Sequence, residues 1–258
     1  MPEAGLKGRV ALVTGVSRRK GIGFAIAQQL AMLGADVFIH SFSAFDASQP
    51  WGADPDGIPA LIATLQQHGT HIAHAEANLL DPTAPDRIMN AAMQAFGHID
   101  ILIANHAYST MGSLEELTAA EIDKHLQVNV RGTLLLVQGF AAQHNGRPGG
   151  RVILLTSGQD LNPMPGELAY VASKGALHQL TLSLSAHLIP RSITVNTVNP
   201  GATDTGYATA ELYESIRVSH PQGRWGQPED AARLIGWLVT DDAQWITGQV
   251  INSTGGGA

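Results

Sequence analysis

The stretch Val10-Ala11-Leu12-Val13-Thr14-Gly15-Val16-Ser17-Arg18-Arg19-Lys20-Gly21-Ile22-Gly23 decides the fold. It opens as an apolar run of strand length and passes through a glycine-bearing turn. The residues that follow repeat with a helical period: Ile22, Ile26, Leu30 and Leu33 share one stripe, and Gly34 is the stop. Glycines in such a turn let the backbone bend sharply and approach a pyrophosphate, while the helix's free N–H groups and positive dipole end face the anion. In this strand-turn-helix setting the cluster reads as a dinucleotide phosphate site; the bland alternative is a plain connection.

Outward from this unit, apolar runs of strand length recur at Val37 to Ile39, Ile101 to Ala104, Val152 to Leu155 and Ile193 to Val198, with weaker ones at His71 to Ala77 and Gln249 to Asn252. Helix-periodic segments separate them, which predicts right-handed crossovers and a parallel sheet covered on both faces. Thr118-Ala119-Ala120-Glu121 predicts a capping box at a helix start. Two segments are too long for short connections: 43–57, rich in Pro, Asp, Ala and Gly, and 200–222, which predicts a substrate loop. Gly255 to Gly257 reads as a frayed terminus.

With 258 residues, 44% hydrophobic and 14% charged, the chain suits one α/β domain over 1–258. A net charge of -7 argues against nucleic acid and anionic membranes, which need a basic footprint, and favours a small-molecule substrate. There is no cysteine, so disulfides, thiol catalysis and thiolate metal sites are excluded. The N-terminus lacks an apolar signal core and no run reaches the roughly 18 residues of a membrane span, which implies a soluble cytoplasmic protein. His68, His71 and His74 are spaced so that they would not converge on a metal, and no metal is expected.

Cofactor choice is read after the second strand. A carboxylate there would bind the ribose 2'-hydroxyl of NAD and repel a 2'-phosphate, yet His40-Ser41-Phe42-Ser43 offers none before Asp46. Arg18, Arg19 and Lys20 crowd the glycine turn, where they could pair with an extra phosphate; the bland alternative is a solvated basic loop. NADP(H) is therefore expected over NAD(H).

Tyr170 and Lys174 lie four apart in a helix-compatible stretch and so share one face. The chain's four tyrosines and four lysines would give about 0.06 such pairs by chance. A neighbouring ammonium is expected to lower the phenol's pKa and make Tyr170 a usable acid and base. Ser157 closes the strand Val152 to Thr156, where its hydroxyl could steady charge on a substrate oxygen. Asn129 is an amide in an apolar helical segment that must be satisfied by protein or by water.

Together these residues resemble the short-chain dehydrogenase/reductase family, from Arg9 to Gly256. The resemblance implies a single-domain Rossmann fold with a doubly wound, seven-stranded parallel sheet, and a homotetramer or homodimer. It implies that nicotinamide gives hydride to a carbonyl carbon, that Tyr170 supplies the proton, that Lys174 holds the ribose and tunes Tyr170, that Ser157 orients the carbonyl, and that Asn129 anchors a relay water. The implied cofactor contacts are Gly15, Ser17, Arg18, Arg19, Lys20, Gly21, Ile22, Gly23, Ser41, Asn78, Leu79, Asn105, Tyr170, Lys174, Pro200, Gly201, Thr203 and Thr205.

Three departures stand out. Five residues separate Gly15 from Gly21 where the family has three, His106 and Ala107 replace the end of Asn-Asn-Ala-Gly, and Asn78 replaces an aspartate. The long glycine loop is similar to that of enoyl-thioester reductases, whose tyrosine and lysine have six residues between them, but Glu167 stands at that distance from Lys174. Carbonyl reduction fits better. Within the family the chain is most similar to 3-oxoacyl-(acyl-carrier-protein) reductases, where Arg191 matches a basic residue able to meet the carrier, or is simply a surface charge. Reduction of free ketones, secondary alcohols or sugars fits equally, with a pocket drawn from 159–164, 109–111 and 207–213. A non-catalytic NADP(H)-binding sensor or scaffold is the alternative of another class.

Overall fold

Alternation along the central strands divides the core in two. Ala11 and Val13, Ile101 and Ile103, and Ile153 and Leu155 face one apolar cluster, while Leu12, Leu102, Val152 and Leu154 face the other. A strand whose successive side chains leave on opposite faces buries both only when helices cover both. The computed structural model describes residues 5–257; Met1 to Ala4 and Ala258, at the ends of the expected domain span, lie outside the described residues.

The described strands are β1 (Val10–Thr14), β2 (Asp36–Ser41), β3 (Ile72–Glu76), β4 (Ile101–Ala104), β5 (Gly150–Leu155), β6 (Ile193–Asn199) and β7 (Val250–Asn252). All are parallel, in the order β3-β2-β1-β4-β5-β6-β7. The parallel sheet is the one the order of runs predicts, and its seven strands and double winding are those the family resemblance implies. The order in which strands are added reverses between β1 and β4, so their carboxyl ends open the crevice where such sheets bind ligands.

The helices are α1 (Ile22–Met32), α2 (Ser43–Ala47), α3 (Gly57–Gln66), α4 (Ala84–Phe96), α5 (Ala119–His125), α6 (Thr133–Gln143), α7 (Leu168–Leu188), α8 (Ala210–Ser219) and α9 (Pro228–Leu238). α1, α3 and α9 supply Ile26, Leu30, Leu61, Leu65 and Ile235 to the first cluster; α4 and α6 supply Ile88, Leu136 and Phe140 to the second. A π-helical turn, Leu126–Gly132, joins α5 to α6.

Three expectations are corrected. The segments 43–57 and 200–222 hold the short helices α2 and α8, which lack buried residues and hence an apolar stripe to signal them. The capping box at Thr118 is half formed: Thr118 accepts from Glu121 N at 3.2 Å, but the Glu121 carboxylate takes Tyr108 Oη at 2.9 Å and Lys124 Nζ at 2.6 Å instead. The 255–257 end is folded rather than frayed, because Gln222 Nε2 donates to Gly255 O at 2.9 Å and Gly257 N to Thr254 O at 3.1 Å.

Candidate active site

The glycine turn is shaped by what its glycines leave out. Gly15 has φ +73°, and a Cβ there would lie 2.8 Å from His106 Cα; a Cβ on Gly23 would lie 2.4 Å from Gly15 O. Asn105 pins this close approach, its Nδ2 donating to Thr14 O at 3.0 Å and Gly15 O at 3.1 Å. At the start of α1, Gly21 brings no capping side chain and the first turn has no acidic residue, so the helix's orphan N–H groups are left for an anion. The cradle therefore fits a dinucleotide pyrophosphate.

Below the turn, His106 fills the place between β1, β4 and the π-helical turn. Nδ1 faces Thr14 Oγ1 at 2.7 Å and Nε2 faces Val128 O at 3.1 Å, so the proton sits on Nε2. Burial pushes this imidazole down to about 3, helped by nearby His40 and Lys174, and it stays neutral. It is a wedge under the groove.

The basic turn is not a set of free cations. Arg18 Nε lies 3.4 Å from Asp46 Oδ1 and its Nη2 donates to Thr205 O at 2.5 Å, while Arg19 pairs with Asp56 at 2.7 Å. Of the three, Lys20 has no carboxylate partner among the described residues. Asp46 is thus returned to the turn five residues after β2 ends, with its charge matched by Arg18. Burial holds its carboxyl above the usual range, opposed by hydrogen bonding from Trp51 and by Arg18.

Ser41 and Leu79 differ from the expected cofactor contacts. The Ser41 hydroxyl is fully buried against His74 Nε2 at 2.8 Å, and the Leu79 side chain is in the core, so only their backbones could face a ligand. Ser17 Oγ accepts from Phe42 N at 3.2 Å, and Asn78 Oδ1 from Leu80 N at 3.0 Å. Beyond β6, Thr203 Oγ1 turns back to Gly201 O at 3.2 Å, and Pro200, Gly201 and Thr205 line the same bend.

Tyr170 and Lys174 share the first turns of α7, with Ser157 opposite at the end of β5. Lys174 is 2% exposed; Nζ donates to Leu155 O at 2.8 Å and lies 5.6 Å from the Tyr170 ring centre. Thr156 Oγ1 donates to Lys174 O at 3.1 Å, locking helix to strand. The expected lowering of the phenol is reversed. Burial pushes the half-buried Tyr170 up to about 12 against the opposing hydrogen bond with Ser157, and burial pushes Lys174 down to about 8. Desolvation penalises both charged forms here and dominates both shifts.

Asn129 is fully buried and finds its partners in protein: Oδ1 accepts from Tyr108 N at 2.7 Å, and Nδ2 donates to Tyr108 O and Ser173 Oγ, each at 2.9 Å. Ser173 Oγ in turn donates to Tyr170 O at 2.8 Å. The amide is a brace between the loop after β4 and α7 rather than a side chain awaiting water. Ser173 was legible in principle, one residue before Lys174 and three after Tyr170, but as an ordinary helix serine it gave no signal. Asp46 was not legible as a partner of Arg18, which is 28 positions away.

Arg191 is tied to the protein's own backbone through Nη2. Its guanidinium donates to Ala141 O and His144 O, closing the carboxyl end of α6. Glu167, in contrast, has no ion-pair or side-chain hydrogen-bond partner among the described residues; burial raises its carboxyl, and its charge acts on Tyr170 and Tyr207. Among the described residues, no cluster of side chains could hold a metal and no helix is long and apolar enough to cross a membrane.

Residues 15–257 match the family model described as enoyl-(acyl carrier protein) reductase. An uncharacterized oxidoreductase of Bacillus subtilis is 40% identical over 250 residues, 96% of each chain. A versicolorin reductase of Emericella nidulans is 30% identical over 97% of this chain and 96% of its own. A short chain dehydrogenase from Burkholderia cenocepacia, solved in complex with NADP, is 34% identical with a TM-score of 0.86, covering 97% of this chain and 98% of that one.

Proposed function

The chain belongs to the short-chain dehydrogenase/reductase family, and from that premise we propose that this oxidoreductase reduces carbonyl groups to secondary alcohols with NADP(H), using Tyr170 as the proton donor. The observation that carries the reading is the placement of Tyr170 and Lys174 on one face of α7, opposite Ser157 at the crevice edge.

A bound NADP(H) supplies hydride to the carbonyl carbon. The residues handle the rest. The Ser157 hydroxyl and the Tyr170 phenol both reach the carbonyl oxygen, the first orienting it and the second giving it a proton as negative charge develops. A phenol held at about 12 is fully protonated before reaction, the state an acid requires. Lys174, with one of its three protons committed to Leu155 O, has donors left for the ribose and a charge that steadies the phenolate formed. Asn129, through Ser173, fixes the start of α7. Gly15, Gly21 and Gly23 with the N-terminus of α1 would hold the phosphates, Lys20 would be available to a 2'-phosphate, and Thr203 and Thr205 would serve the nicotinamide end.

Glu167 occupies the position that a tyrosine would need for the enoyl reaction, which supports carbonyl reduction. The hydrogen bonding of Arg191 to the end of α6 favours free ketones over acyl-carrier thioesters. We read the assembly as a homotetramer or homodimer and the location as cytoplasmic. The test is NADPH and NADH consumption against a β-ketoacyl thioester, a panel of simple ketones and sugar ketoses, side by side. Ketone reduction with a higher kcat/KM for NADPH is expected; turnover of the thioester alone, or NADH preferred, would contradict the corresponding half.

A further inference from the structure

The two ends of the dinucleotide groove are joined by one side chain. β1 and β6 stand three strand positions apart, about 14 Å at the usual spacing, yet the loops that follow them meet at the bond from Arg18 to Thr205 O. The bond therefore spans the interval that β4 and β5 occupy between β1 and β6. The arginine is built in rather than solvated: its side chain is 13% exposed and that of its partner Asp46 is 16% exposed.

Trp51 completes the assembly. Its ring lies 5.5 Å from the guanidinium carbon, its Nε1 donates to Asp46 Oδ1 at 3.2 Å, and its edge meets Tyr207 with centroids 6.5 Å apart. Lys20 Cδ packs 3.4 Å from where a Cβ on Gly206 would stand, so two residues of the glycine turn touch the bend after β6. A planar guanidinium serves Asp46, Thr205 and the Trp51 face together, which a lysine could not.

We propose that Arg18 is a positioning residue, a strap anchored by Asp46 and Trp51 that holds residues 201–207 closed across the dinucleotide groove. The strap opens at Thr205, because a neutral carbonyl is a weaker partner than the carboxylate. It grips backbone rather than ribose, so it retains NADPH and NADH alike. This rests on the reading that the glycine turn and Thr203 to Thr205 hold the two ends of the cofactor.

Direct contact between Arg18 and a 2'-phosphate makes the opposite forecast. It would confine the effect of Arg18→Leu to NADPH, and Asp46→Asn, by freeing the arginine, would tighten NADPH. The experiment measures the release rates of NADPH and NADH by stopped-flow fluorescence for the wild type, Arg18→Leu, Asp46→Asn and Trp51→Leu, with protease cleavage within 201–222 followed in the NADPH-bound proteins. The strap predicts that Arg18→Leu speeds release of both dinucleotides by a similar factor, on the order of tenfold for one charged hydrogen bond. It also predicts that Asp46→Asn and Trp51→Leu shift both in the same direction, and that the loop is cut faster in all three variants. If Arg18→Leu does not fold, the other two carry the test. Release changed for NADPH only, or NADPH tightened by Asp46→Asn, overturns the strap. Wild-type binding with unchanged release in the variants overturns it alone, whereas a wild type that binds neither dinucleotide overturns the functional reading beneath it.

Discussion

At Tyr170 burial opposes ionisation of the phenol proposed as the proton donor. Burial holds the phenol near 12 and Lys174 near 8, so the free protein carries a neutral acid beside an ammonium that begins to deprotonate just above neutrality. The sign follows directly. Lys174 is charged below about 8 and in the proposed reduction would support the phenolate formed, a support that would be lost as pH rises through 8. We expect kcat/KM for ketone reduction to fall above roughly pH 8, and Lys174→Arg, which remains charged, to flatten that limb while lowering the plateau. A profile level to pH 10 in the wild type would contradict the role of the lysine. The spacing of Tyr170 and Lys174 was legible in the sequence because helical geometry alone puts residues four apart on one face. The direction of the pKa shift was not, since it depends on how deeply the floor is buried, which no local pattern encodes.

At the scale of elements, the turn between β1 and α1 depends on two backbones approaching within the reach of a methyl group. Gly23→Ala would set its Cβ 2.4 Å from Gly15 O, a contact that forces the turn open. We expect a loss of about 1–3 kcal/mol in stability, as for other overpacked sites, with weakened binding of both dinucleotides; calorimetry and fluorescence titration would measure the two. Unchanged values would mean that the turn is looser than described. The central strands were legible as apolar runs, because both faces of the sheet are buried there and the side chains of β1, β4 and β5 are largely apolar on each, whereas the half-exposed β3 and β7 gave weaker runs. α2 and α8 were hidden because neither buries a residue, and the half-formed cap at Thr118 because Tyr108 and Lys124 compete for Glu121 from outside the local sequence.

Across the whole molecule, the order of strands and helices fixed the sheet and hence the crevice, while the contacts that roof the crevice came from segments far apart in the chain. Arg18, Asp46, Trp51 and Thr205 illustrate this: nothing in the local sequence around any of them signals that they meet. The edge beside β7 carries Leu182, 67% exposed and packed near Gly248, together with Trp245, 95% exposed. Apolar side chains this exposed suit burial between copies, and sedimentation is expected to give a dimer or tetramer that Trp245→Ser weakens; a monomer at micromolar concentration would contradict that assembly.

The central claim is that Tyr170 supplies the proton for carbonyl reduction. Its most direct test is ketone-dependent NADPH oxidation by the Tyr170→Phe protein alongside its NADPH affinity. The account predicts affinity within about twofold of wild type and reduction lowered by at least about a hundredfold, the scale of a lost general acid. Reduction near the wild-type rate across the ketone panel would contradict it.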